Sequence, residues 1–261
     1  MKHFIKSLVS MFRRGSLTIA FVAALWISAF ALATDWYVDG SAGTNGSGSD
    51  TSPFNNLESA LTNPSLNDLD HILIAQGTYK PTTGTDRTIS FVIGTKNVSL
   101  KGGWIVGTPW THSGNPALTI LSGNINNTGI ATDNSYTVLK LSHSGATNSG
   151  TLIEYLTITG GFANDGAGQD SGGGVRITNG AAPRLHQCRI ANNFAGTLGN
   201  TTSGGPGVYV NASSPVLTRC TIESNSMVLA PPPSPHTRGR LTPSLKVQAC
   251  KKMFHVNVSH S

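Results

Sequence analysis

Beyond residue 33 the chain has no long apolar run, no long stretch of helical periodicity and little charge. The first absence leaves no further candidate for a membrane span, which needs roughly 20 apolar residues. The second excludes a helical bundle. Only 11% of the 261 residues are charged. Cysteine is also scarce: Cys188, Cys220 and Cys250 are the only three, and no His/Cys cluster has the spacing of a zinc site. His71, His143 and His186 are isolated from one another, and Ser and His are plentiful but lack the elbow motif on which a nucleophilic triad could be argued.

The formal charge of +6 comes from the two ends. Lys2, Lys6, Arg13 and Arg14 contribute +4, followed by a mainly apolar run of about 16 residues, Leu17 to Leu32, and the small-residue exit Ala31-Leu32-Ala33. This order predicts a secretory signal peptide over 1–33, cleaved after Ala33 and leaving no transmembrane span. Residues 227–261 contribute +5, with five prolines and no acid. Proline at that density excludes a central strand. The segment is expected to be an unstructured basic tail, and either a surface-binding tail or a frameshifted or truncated gene end fits it. The body, 34–226, holds nine basic and twelve acidic residues, a net of −3. It has no basic stripe to neutralise a phosphate backbone, so nucleic acid is not an expected partner.

What the body does have is a repeat. TLIEYLTITGG (151–161), PRLHQCRIANN (183–193) and PVLTRCTIESN (215–225) align without gaps at an offset of 32 residues. GGGVRIT (172–178) and GPGVYVN (205–211) align at 33. Such a unit cannot bury its own apolar face and must stack on its neighbours. The expected columns are Ile153-Leu185-Leu217, Leu156-Cys188-Cys220 and Ile158-Ile190-Ile222, with Gly and Asn at the corners where tight turns need unusual backbone angles. Short β-branched runs such as HILIA, TISFVI and TVLKL extend the strand pattern upstream. The predicted fold is all-β, a right-handed parallel β-helix, with a cap over about 35–80 and coils over about 86–226. A β-sandwich is the alternative. Cys188 and Cys220 are expected to point inward and stay unpaired: stacked neighbours sit about 4.8 Å apart, while a disulfide wants Cβ atoms about 3.8 Å apart. Cys250 falls in the tail.

Before the first strand, PFNNLESAL (53–61) predicts a short amphipathic helix, with Thr51 or Ser52 as its cap and Pro53 in its first turn. Phe54, Leu57, Ala60 and Leu61 would form the face that covers the open end of the solenoid. The pattern YVD…PFxxLxxAL…DxIxxAxGTY, then ILSG, then coils of GGGxV…PxLxxCxIxxN, resembles bacterial extracellular proteins of the pectin-lyase-like superfamily, within it the large surface proteins known as right-handed parallel β-helix repeat proteins. The likeness covers about 35–226.

That resemblance implies either polysaccharide chemistry or a surface role. A lyase of this kind needs clustered carboxylates for calcium and a base, and a hydrolase needs two carboxylates roughly 5 to 9.5 Å apart. Glu154, Asp165, Asp170 and Glu223 are the acids of the repeat region, and no catalytic residue can be assigned among them. Asp165 and Asp170 share the loop GFANDGAGQDSGGG and are candidate calcium ligands, or simply a solvated turn. Asp39, Asn45 and Asp50 form a second polar loop of the same ambiguity, without EF-hand spacing. Calcium is the only cofactor considered. Strand alternation puts Lys140, Arg176 and Tyr209 in one outward column, either a binding ladder for an acidic glycan through charge and ring stacking or an ordinary solvated face. The expectation is a secreted or cell-surface protein, non-catalytic, that contacts extracellular polysaccharide or cell-surface glycan. The alternatives are a lyase or hydrolase lacking its catalytic coils and a non-functional gene fragment.

Overall fold

The computed structural model describes residues 32–127, 131–142, 150–165, 170–196, 204–228 and 247–249. They form a parallel β-helix built from four sheets. Sheet A takes its strands in the order Asp35–Val38, His71–Ala75, Ser99–Ile105, Leu152–Glu154, Arg184–His186 and Val216–Thr218. Sheet B runs Gly77–Tyr79, Thr119–Ser122, Thr157–Thr159, Arg189–Ala191 and Thr221–Glu223. Sheet C runs Phe91–Ile93, Leu139–Ser142, Val175–Thr178 and Val208–Val210. Sheet D is narrow: Phe162–Ala163, Phe194–Ala195 and Ser226–Val228, with Val247–Ala249 added antiparallel at its edge.

The repeat register is the pairing register. Ile153 pairs with Leu185 and Leu185 with Leu217; Ile158 pairs with Ile190 and Ile190 with Ile222. The inner rungs of these columns form the core because each inward side chain stacks on its equivalent one rung away. Ile153, Leu185, Ile158 and Ile190 are fully buried. The 33-residue offset of the GGGV segments is equally real: Val175 pairs with Val208 and Ile177 with Val210. The stack begins early, since Asp35–Val38, His71–Ala75 and Gly77–Tyr79, all inside the stretch expected to be a cap, are rungs of the same sheets.

The corners are left-handed residues at fixed places. Tyr155, Gln187 and Arg219 have φ of 54°, 49° and 53° at the turn from sheet A to sheet B. Gly160, Asn192 and Ser224 occupy the next corner at 77°, 56° and 52°. An L-residue in that region costs on the order of 1 kcal/mol, least for Gly and Asn. Beside the second corner an asparagine turns inward. Asn193 is fully buried; its Oδ1 accepts from Gly161 N–H (2.9 Å) and its Nδ2 donates to Ile158 O (3.1 Å). Asn225 repeats this one rung later, accepting from Asn193 N–H (3.0 Å) and donating to Ile190 O (2.8 Å). The ladder stitches three coils where bends interrupt backbone pairing.

The helix, α1 (Leu57–Leu61), starts later than expected. Ser52 is held in a turn by Ser49, and Phe54 bridges Val38 in parallel, so 52–55 is extended and Thr51 and Ser52 cannot cap. Asn56 is the cap, its side chain accepting from Ser59 N–H at 2.8 Å. The apolar face is as expected: Phe54, Leu57 and Ala60 are buried and Leu61 is half-buried. The helix packs against the first strands of sheets A and C and so covers the solenoid's first end.

The candidate binding column on sheet C

Sheet C brings the three residues singled out from the sequence together. Arg176 pairs in register with Lys140 on one side and Tyr209 on the other, and Val92 stands at the head of the same column. Their neighbours Leu139, Leu141, Val175 and Ile177 are fully buried, which fixes the alternate residues outward. The guanidinium of Arg176 lies 5.5 Å from the centre of the Tyr209 ring, within cation–π range. Lys140 Nζ donates to Thr88 O at 3.3 Å. All three side chains are half-buried, less exposed than simple alternation suggests, because they lean on one another and on Thr88.

Packing two cations on adjacent strands has an electrostatic consequence. Burial, and then the charge of Arg176, hold the Lys140 ammonium below its ordinary range, with Asp165 acting in the opposite direction. Asp165 also acts on Arg87, a residue that sequence reasoning missed. Arg87 stacks on Tyr136, its guanidinium carbon 4.1 Å from the ring centre, and its Nη2 donates to Asn164 Oδ1 and Phe162 O. Nothing in the repeat announces Arg87, which precedes the first strand of sheet C.

Of the candidate calcium ligands, Asp165 is half-buried among these cations and Asp170 is buried; residues 166–169 between them lie outside the described residues. Among the described residues no group of three or more His, Cys, Asp or Glu is placed to hold a metal ion. In the second loop, Asp39 Oδ1 accepts from the backbone N–H and hydroxyl of Ser41, and Asn45 is bonded to Asn55 and Ser59. These polar groups are occupied in shaping the loop. On sheet A, Asp35, His71 and Ser99 share one row, with Asp35 Oδ1 2.8 Å from His71 Nδ1. Ser99 is buried, at 6% exposure, which leaves its hydroxyl poorly placed as a nucleophile.

The thiols follow the expected register. Cys188 is buried, Cys220 is half-buried, and both are free. Their Sγ atoms point at equivalent carbonyls, Ile153 O and Leu185 O, each at 3.4 Å. Cys250 and His143 lie outside the described residues.

No protein-family model matches the chain, and neither a curated protein nor a solved structure is significantly similar to it. What is established is the architecture, a parallel β-helix. Among the described residues no helix is long and apolar enough to cross a membrane.

Proposed function

We propose that this is a secreted or cell-surface β-helix protein that contacts acidic glycans without transforming them. The observation that carries the reading is the Lys140–Arg176–Tyr209 column, in which two cations on adjacent rungs stand beside an aromatic ring. An anionic ligand laid along the column would meet both cations at once, alongside the influence that Asp165 already exerts on Lys140. A uronate or sulfated sugar supplies the anion for Lys140 and Arg176 and a ring to lie against Tyr209. Repetition along the solenoid axis suits a chain-like ligand. Residues 1–33 serve as the export signal in this reading, with the mature chain starting at Thr34.

Two measurements test it. Expressed with its native leader, the protein is expected in the culture medium with Thr34 as its first residue; a chain retained in cells with Met1 intact contradicts the export half. On a glycan array, binding is expected to uronate and sulfated chains and to weaken with salt. Equal binding to neutral chains at all ionic strengths contradicts the charge-based half.

A further inference from the structure

The last described rung ends in open strand edges. In sheets A, B and C the terminal strands are Val216–Thr218, Thr221–Glu223 and Val208–Val210, and among the described residues each pairs only with the strand before it. In sheet B, Thr221 N–H points back and donates to Cys188 O (2.9 Å). Alternation then turns the N–H and C=O of Ile222 the other way, toward the open edge. The inward column is uncovered there too, since Ile222 and Val210 are exposed. Val208, Val210, Ile222, Asn225 and Met227 line a hollow of about 300 Å³ at the mouth of the core. An apolar hollow beside unpaired backbone is suited to receive a strand.

Sheet D shows which strand. Its edge is the exception, because Val247–Ala249 returns to it antiparallel, with Val247 opposite Val228, Gln248 opposite Met227 and Ala249 opposite Ser226. The returning chain therefore runs backwards around the rung, from sheet D toward sheet B. In that direction the rung presents Asn225, Ser224, Glu223 and Ile222, while the chain presents Cys250, Lys251, Lys252 and Met253. Carried on without a gap, the register sets Lys252 opposite Glu223 and Met253 opposite Ile222. Residues directly opposite in a sheet share a face. Met253 thus meets the hollow. Lys252 lies on the outside, beside an exposed carboxylate whose Oε1 already accepts from Arg189 Nε (2.7 Å). A slip of one residue breaks one match or the other, setting Lys252 against Ile222 or Met253 against Glu223. Charge agrees at the larger scale, since 227–261 holds five basic residues and no acid and the body carries a net of −3.

We infer that residues 250–254 close the second end of the solenoid as an antiparallel strand on the edge of sheet B, so that the basic tail of this chain is its own cap. A helix covers the first end and a returning strand the second. The inference is independent of the glycan reading above.

Carbodiimide cross-linking of the full chain tests it, because the reagent joins a carboxylate to an amine already in contact with it. A Glu223–Lys252 amide is expected as the main product at Glu223, read by mass spectrometry of proteolytic peptides. In an equal mixture of unlabelled and isotope-labelled chains, the joined peptides are expected to be all light or all heavy. Met253→Asn sets an amide against the apolar hollow and is expected to lower the yield about fivefold. Lys251→Gln, which falls opposite the corner residue Ser224, is expected to keep the wild-type yield. Far-ultraviolet circular dichroism reports whether each variant is folded. No product at Glu223, a product with another lysine in place of Lys252, or mixed light and heavy pairs overturns the proposal, the last by assigning the edge to a second copy of the chain. A folded Met253→Asn variant that cross-links as fully as wild type overturns it as well.

Discussion

Cys188 and Cys220 occupy the same place in successive coils, yet their chemistry differs because the second lies nearer the end of the described stack. When Cys220 ionises, the neighbouring Cys188 thiol can turn from its carbonyls to donate to it, which lowers Cys220 to about 7 and holds Cys188 well above the ordinary thiol range. Of the two, Cys220 is the one that ionises, since it accepts a hydrogen bond as thiolate and is less buried. Iodoacetamide is therefore expected to modify Cys220 in the folded protein with a rate that rises through about pH 7. Cys188 is expected to react only after denaturation. Cys188→Ala removes the donor and should move the Cys220 profile back toward about 8.5. Equal rates at both thiols, or a Cys188–Cys220 disulfide in unreduced protein, would contradict the stacked arrangement.

At the scale of elements, the asparagine ladder separates two neighbouring residues that look alike in sequence. Asn192 supplies a left-handed corner, whereas Asn193 supplies buried hydrogen bonds. Asn193→Ala leaves Gly161 N–H and Ile158 O without their side-chain partners and is expected to destabilise by about 3 kcal/mol. Asn192→Gly should be nearly neutral, because Gly160 already fills that corner one coil earlier. Urea unfolding of the two variants checks this, and similar losses would contradict the division of roles. The inward columns and the outward Arg176–Tyr209 pair are legible because the 32- and 33-residue offsets in the sequence are the strand pairing itself, whereas Lys140 is legible only from the alternation of Leu139 and Leu141 around it. The inward role of Asn193 and Asn225 is present in the CxIxxN pattern but is not distinguishable there from corner chemistry, since Asn also suits turns. The helix cap was misplaced because the sequence does not show that Phe54 pairs with Val38. The position of His112 is illegible for a different reason: it lies outside the repeat, and the antiparallel pairing of Thr111–His112 with Trp104–Ile105, together with Trp110 docked on Tyr37, brings it beside Tyr155.

Among the described residues the solenoid is asymmetric along its axis. At the first end α1 seals the core. In the last described rung the same columns emerge into solvent: Ile222 is 40% and Val210 43% exposed, where Ile190 and Ile177 one coil earlier are fully buried. Val247–Ala249 occupies the edge of sheet D alone. Between the ends, sheet C carries the Lys140–Arg176–Tyr209 column on its outward face. The account stands or falls on the cationic column. Isothermal titration of an alginate oligomer tests it directly, using wild type and Arg176→Gln at low and high salt. Binding to wild type that weakens at least tenfold in the variant and fades with salt is the expected result. Identical heats for wild type and folded variant, or no heat with wild type at low salt, would contradict it.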